Sequence, residues 1–342
     1  MVGYLLQRVV LLGFTFVAIT VIQFAIIHNA PGDPVELFFA GGLAAGTDGI
    51  EAEKLANVER AKEELRRQLG LDRPLVVQYG AWLRKTVTGD FGTSFKDRRP
   101  VWKKIRERIP LTVTLAASAI FITFAFSIPL GILSAVKEGS LADRASTLML
   151  FMLVSLPSFW VGTLIIIFFC GGDFFDWFPP AGVHSLAYEP SWPWTRRVGD
   201  YMYHLAMPIF VTTYGAFAFQ SRVLRSSMLD AKTQDYVRTA RAKGVEERVV
   251  VLKHILRNSI IPIATNIGGI LPALIGGSVI IETIFSLPGL GFLGYQAVLA
   301  RDYPVILALL SVSSALTLIG ILLSDIALVL VDPRIRFGRS VG

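Results

Sequence analysis

The sequence predicts an all-α polytopic membrane protein, with six transmembrane helices and an external helical segment between the first two. Three observations carry this reading. Of 342 residues, 53% are hydrophobic and only 17% charged, which leaves too few charged groups to cover the surface of a water-soluble domain. Six stretches, 9–27, 109–136, 145–172, 201–221, 258–281 and 303–324, contain no Asp, Glu, Lys or Arg, and each is 19 to 28 residues long. A helix needs about 20 apolar residues to cross a hydrocarbon core about 30 Å thick, and in lipid only intrahelical bonds satisfy every backbone N–H and C=O. Finally, Lys and Arg in the short loops are divided fifteen to three: Arg8, Lys137, Arg144, nine between Arg222 and Arg257, and Arg334, Arg336 and Arg339 against Arg196, Arg197 and Arg301. Cytoplasmic loops collect such residues, so both termini and the 222–257 loop are expected in the cytoplasm.

The first stretch is longer than the apolar core of a secretory signal, and no small-residue cleavage pattern follows it in Ile26-Ile27-His28-Asn29-Ala30. It is expected to remain as an uncleaved helix. Residues 28–108 then lie outside. Their fifteen basic residues run against the charge rule, but long segments translocate largely regardless of charge. Within this segment Leu55, Val58, Ala61, Leu65 and Leu69 recur every three or four residues, predicting an amphipathic helix over 51–69 that Gly70 ends. A second helix is expected after Pro74, with Val77, Ala81, Trp82 and Lys85 along one side until Gly89. Spacing alone leaves open whether the pair forms a cap that meets substrate or lies on the membrane surface. Residues 173–200 are rich in Trp, Phe, Tyr and Pro, as suits a loop at the headgroup level.

The most informative stretch is the 222–257 loop. Asp235-Tyr236-Val237-Arg238-Thr239-Ala240-Arg241-Ala242-Lys243-Gly244 reads as a two-turn helix, with Asp235 as N-cap and Gly244 as the stop. Val237, Ala240 and Gly244 give it a small-residue face, and Arg238, Arg241 and Lys243 a charged flank, so it can dock in a groove of an acidic partner. A solvated basic loop near anionic lipid reads equally well from the residues alone. In the fifth stretch, Gly268, Gly269, Gly276 and Gly277 surround Pro272. Small residues permit close helix approach and proline permits a kink, as in a helix lining a gated path, although plain packing accounts for the glycines equally well. Asp325, near the expected cytoplasmic end of the last stretch, is expected to face protein in a structural bond.

Several chemistries find no footing. No G-x-x-x-x-G-K-[ST], G-x-S-x-G or H-E-x-x-H occurs, and Cys170 is the one cysteine, so neither an ATPase, a hydrolase nor a Cys-based metal site is expected. No catalytic residue, metal or cofactor is assigned. The net charge of +7 is accounted for by cytoplasmic loops rather than by nucleic acid. Paired acids and bases for proton or sodium coupling are missing from the stretches, against a secondary transporter or channel working alone.

Six landmarks follow one another along the chain: Ala30-Pro31-Gly32-Asp33-Pro34, Leu69-Gly70-Leu71-Asp72-Arg73-Pro74, Gly89-Asp90-Phe91-Gly92-Thr93-Ser94, the 235–244 helix, Glu282-Thr283-Ile284-Phe285-Ser286-Leu287-Pro288-Gly289-Leu290-Gly291 and Asp332-Pro333-Arg334-Ile335-Arg336. In this order they resemble the permease subunits of bacterial ATP-binding-cassette importers, in the dipeptide/oligopeptide branch. The resemblance implies an inner-membrane permease core over 109–342, following a first helix (1–27) and an extracytoplasmic segment (28–108). It implies a homologous second permease, two ATPase subunits and an extracytoplasmic substrate-binding protein as partners. Asp235, Tyr236, Arg238, Thr239, Ala240, Arg241, Lys243 and Gly244 would couple to the ATPase. Only Ala240 and Gly244 agree with the general E-A-A-x-x-x-G form of the importer permeases, and Pro262 lies farther from Gly244 than in that form. Relatives of this branch carry peptides, nickel, glutathione or sugars, with peptides the commonest cargo.

Overall fold

The computed structural model describes residues 2–29, 35–36, 59–64, 66–67, 72–170, 174–265 and 277–331. The regular elements are helices: α1 (Val2–His28), α2 (Leu75–Val87), α3 (Val101–Val136), α4 (Leu141–Ser155), α5 (Ser158–Ile165) with a π-helical turn Ile166–Cys170, α6 (Trp194–Lys232), α7 (Asp235–Ala242), α8 (Glu247–Val249) with a π-helical turn Val250–Ile255, α9 (Leu256–Ser259), α10 (Ile261–Thr265), α11 (Val279–Ile284), α12 (Leu290–Leu299) and α13 (Tyr303–Val331). The backbone divides into two units, Met1–Pro110 with Leu293–Leu318 and Leu111–Phe292 with Ile319–Gly342.

The long helices are inside out by the standard of a water-soluble protein. α1 buries Thr20 and Gln23 and exposes Leu6, Phe14, Ile22 and Ile26. α3 buries Thr112, Ser127 and Ser134 while Phe121 and Phe126 stand exposed, and α6 buries Thr213, Gln220 and Ser221 while Phe210 and Phe219 stand out. Exposed aromatic and aliphatic side chains over buried hydroxyls and amides are the arrangement that a lipid solvent favours.

Among the described residues, three helices are long and apolar enough to cross a membrane: Leu6–His28, Val101–Val136 and Tyr303–Ile326. The expected third span is broken, because Leu141–Ser155 and Ser158–Cys170 meet at 92°. Pro157 is the cause: it lacks an N–H and disfavours helical backbone in the residue before it, and Leu156 is extended with ψ 123°. Taken as one span, this bent pair raises the count to four. The expected fourth span, 201–221, forms part of the 39-residue α6, since no Gly or Pro stops the helix between Arg222 and Lys232. Of the expected fifth, 258–281, residues 266–276 lie outside the described residues.

In the first unit α2 packs on α1. Tyr79 Oη lies 2.9 Å from Thr20 Oγ1, and the Phe24 ring meets those of Tyr79 and Trp82 at 5.6 and 5.7 Å. The inward side of α2 is therefore Tyr79, Trp82, Leu83 and Thr86, whereas Val77, Ala81 and Lys85, expected on one side with Trp82, are exposed. The polar partner Thr20 selected the tyrosine face over the valine face. Most of the helix expected over 51–69 lies outside the described residues. Nearby, the 89–100 loop is pinned by a buried network: Ser94 Oγ and the Phe95 N–H both donate to Asp302, and Lys104 Nζ lies 2.9 Å from Ser94 Oγ and 3.0 Å from Asp97.

The second unit holds two apolar clusters, one around Leu205, Val211, Tyr214, Phe285 and Leu287, the other around Leu224, Met228, Val237, Val250 and Ile255. The second cluster positions the candidate site.

Candidate functional site

α7 is a two-turn helix with one side packed on the body of the chain and the other exposed. Its N-cap is Gln234, in extended backbone (φ −72°, ψ 150°) and without a side-chain cap bond. Asp235, expected as the cap, is instead the first helical residue, where its negative charge still favours the positive helix end. At the other end Gly244 has φ +75°, its N–H donates to Arg241 O at 2.9 Å and the Val245 N–H donates to Ala240 O at 3.2 Å. This pair of bonds is the Schellman closure, and only glycine takes the left-handed position without strain. Gly244 has open space around its missing Cβ, so backbone conformation alone dictates the residue.

The small face of α7 points into its own chain. Val237 is 0% and Ala240 7% exposed, packed among Leu224, Met228, Val250 and Ile255. Arg241, itself exposed, is engaged within the chain, gripping Glu247 through Nε at 3.0 Å and Nη2 at 2.6 Å. That guanidinium holds the Glu247 carboxyl below its usual range. Asp235, Tyr236, Arg238, Thr239, Ala242 and Lys243 face outward too, with the side chains of Asp235 and Arg238 97% and 75% exposed. The helix is thus bolted to the body by one side and presents a mixed-charge ridge on the other.

Of the glycines and proline expected along a path, Gly268, Gly269, Pro272 and Gly276 lie outside the described residues. Gly277 is described, with φ +66°, and a Cβ there would meet Gly291 N at 2.5 Å and Glu282 Oε1 at 2.8 Å. It belongs to a cradle around Glu282, a side chain quoted above only within a landmark. Glu282 is 1% exposed; its carboxylate accepts the N–H groups of Phe292 at 2.7 Å and Ser278 at 3.3 Å and the hydroxyl of Thr112 at 3.4 Å. Thr112 in turn accepts the Leu290 N–H at 2.9 Å. A Cβ on Gly289 would fall 2.4 Å from the Glu282 carboxyl. An acid bordered by Gly277, Gly289 and Gly291 was the available signal for this cradle.

Sequence reasoning also passed over Asp143 and Arg225, joined by two 2.8 Å bonds, with Asp143 buried. No spacing rule links residues 82 positions apart. Buried acids therefore do occur at Asp143, Glu282 and Asp302, but each is held by fixed donors rather than left along an open path.

Comparison with known proteins matches residues 127–337 to the family described as binding-protein-dependent transport system inner membrane component, and residues 1–116 to the N-terminal part of such membrane components. The chain is 37% identical over 338 residues to the oligopeptide transport system permease protein AppB of Bacillus subtilis, covering 98% of this chain and 100% of that one. It is 36% identical over 360 residues to the peptidoglycan transport system permease protein YejB of Agrobacterium fabrum, and 36% over 363 to the inner membrane ABC transporter permease protein YejB of Escherichia coli O157:H7, with 98% of this chain and 99% of each relative covered. The family is a membrane component of a transport system rather than its catalyst. The inside-out helices and these full-length matches agree, and the chain belongs to the family of binding-protein-dependent transport system inner membrane components.

Proposed function

We propose that this chain is one half of the translocation path of an ATP-driven importer for di- and oligopeptides, and that α7 is where a separate ATPase subunit docks. In this reading it pairs with a homologous second permease above two ATPase subunits and receives cargo from an extracytoplasmic binding protein. Six spans cross the membrane, with both termini and α7 in the cytoplasm. The peptide assignment draws on the relatives' names, and the peptidoglycan relative extends the class to peptides carrying sugar.

The observation that carries the docking assignment is the division of α7. Val237 and Ala240 are used up in the core, so the helix is held firmly enough to receive force, while Asp235, Tyr236, Arg238, Thr239 and Lys243 stay available to a partner. ATP binding would close the ATPases, move α7 with them and rock the spans to face outward.

The test is retention. ATPase subunits should co-purify with the tagged permease and a homologous second permease in mild detergent, and reversing charge at Arg238 and Lys243 together should release them. Arg241 is left intact, because its reversal would break the Glu247 pair instead. Full retention by the double variant would move the docking surface elsewhere, and a lone chain moving peptide in liposomes without ATP would replace the importer reading with a secondary transporter.

A further inference from the structure

The last three turns of α6 lie between α7 and the corner that joins α3 to α4, and two stripes on this one helix serve the two neighbours. Leu224, Met228 and Ala231 carry the packing around Val237 and Ala240. Roughly 100° round the helix, given 3.6 residues per turn, Arg222, Arg225 and Lys232 form a cationic stripe, and each has a specific partner. The Arg222 guanidinium sits 3.4 Å over the Phe151 ring, Arg225 binds both oxygens of Asp143 at 2.8 Å, and Lys232 Nζ lies 3.0 Å from Glu138 Oε2.

Arg225 is the centre of this stripe, and its partner is itself fixed. Asp143 is buried, accepts the Gly139 N–H at 2.9 Å, and donates its own N–H to the Ser140 cap at 3.2 Å. The corner is closed again by Ser134 and Ser146, whose hydroxyls lie 2.9 Å apart. A bidentate guanidinium–carboxylate pair is planar and directional, so α6 cannot slide along α4 without losing both bonds. At the far end of α4, Tyr214 of α6 donates its hydroxyl to Leu156 O at 2.6 Å, the carbonyl left exposed by the 92° break. α6 thus grips α4 at both ends.

We propose that the Arg225–Asp143 pair makes α4, the end of α6 and α7 a single moving body, so that a displacement of α7 reaches the break at Leu156–Pro157 undiminished. Arg225 and Asp143 are positioning residues for coupling. The proposal rests on α7 being the docking helix only for the source of the displacement.

The test places spin labels on α7 and α4, at Ala242→Cys and Leu148→Cys, both exposed, in a Cys170→Ala background. Distances are read by pulsed electron resonance in the assembled complex, nucleotide-free and trapped with ATP and vanadate. With the pair intact, one narrow distance is expected in both states. Arg225→Gln should lose the narrow distribution on trapping, and the exchanged pair Asp143→Arg/Arg225→Asp should restore it, which a general loss of stability would not do. A wild-type distance that shifts on trapping, an Arg225→Gln distribution as narrow as wild type in both states, or no restoration by the exchange would overturn the proposal. Retention of the ATPase on the tagged permease is recorded alongside. Its absence in wild type overturns the docking assignment, whereas retention together with a wild-type distance that shifts on trapping overturns the single-body proposal alone.

Discussion

Asp302 shows how much one buried carboxylate can hold. It takes the Ser94 hydroxyl and the Phe95 N–H and lies 3.7 Å from Lys104, which is itself buried. Removing one partner of a buried ion pair costs about 3–5 kcal/mol, because the other charge is left without compensation. Asp302→Ala should fall near the lower end, about 3 kcal/mol, since Asp97 still reaches Lys104 at 3.0 Å. Thermal unfolding of the purified chain in detergent measures it, and an unchanged midpoint would mean that the network contributes no net stability. Asp143 gives a pH prediction. Its carboxyl is held below the ordinary value of 3.8, chiefly by the Arg225 hydrogen bonds. A lowered folded value means that the stabilisation is present above pH 3.8 and is lost as pH falls through the folded value below it. As the pH falls below 3.8, Asp143→Asn should therefore lose less stability than wild type, read from thermal midpoints across a pH series.

Helix ends in this chain follow one rule with two kinds of residue. α2 and α7 close through Gly89 and Gly244 in the left-handed region, while α11 and α12 place Ser286 (φ 51°) and Arg301 (φ 52°) there with the same pair of backbone bonds. The left-handed conformation costs a residue with a Cβ roughly 1–2 kcal/mol. Gly244→Ala should destabilise α7 by about that amount, and Gly244→Asp is expected to abolish ATP-driven uptake while leaving the chain in the membrane. Ser286→Gly should act oppositely, stabilising the chain by about 1 kcal/mol. Thermal midpoints of the three variants check the set, and a stabilised Gly244→Ala would contradict the left-handed closure. α7 was legible in sequence because both its period and its glycine stop are local. The side it turns inward was not, since Val237 and Ala240 could have met a partner as readily as Leu224 and Val250.

For the whole molecule, the charge count and the structure converge on one grouping. The 137–144 and 222–257 segments, assigned to one side by their lysines and arginines, are joined by the Asp143–Arg225 and Glu138–Lys232 pairs. The third expected stretch departs from a straight span for a physical reason. An uncharged stretch reports how long a run can stay in lipid but not whether it stays straight, and Pro157 bends one such run by 92°. Likewise the absence of acids inside the stretches concealed Asp143, Glu282 and Asp302, which sit just beyond their ends.

By itself the sequence determined the membrane class, the existence of α7 with its glycine stop and the family, because these depend on composition, local periodicity and short ordered motifs. Only the tertiary structure decided which face of α2 and α7 is buried, that Arg241 serves Glu247, that Gly277 makes room for Glu282, and that Arg225 finds Asp143 across 82 residues. Each of these depends on neighbours that only the folded chain brings together, and at Glu282 and Asp143 burial favours the pairing because a charge taken out of water is costly without a partner.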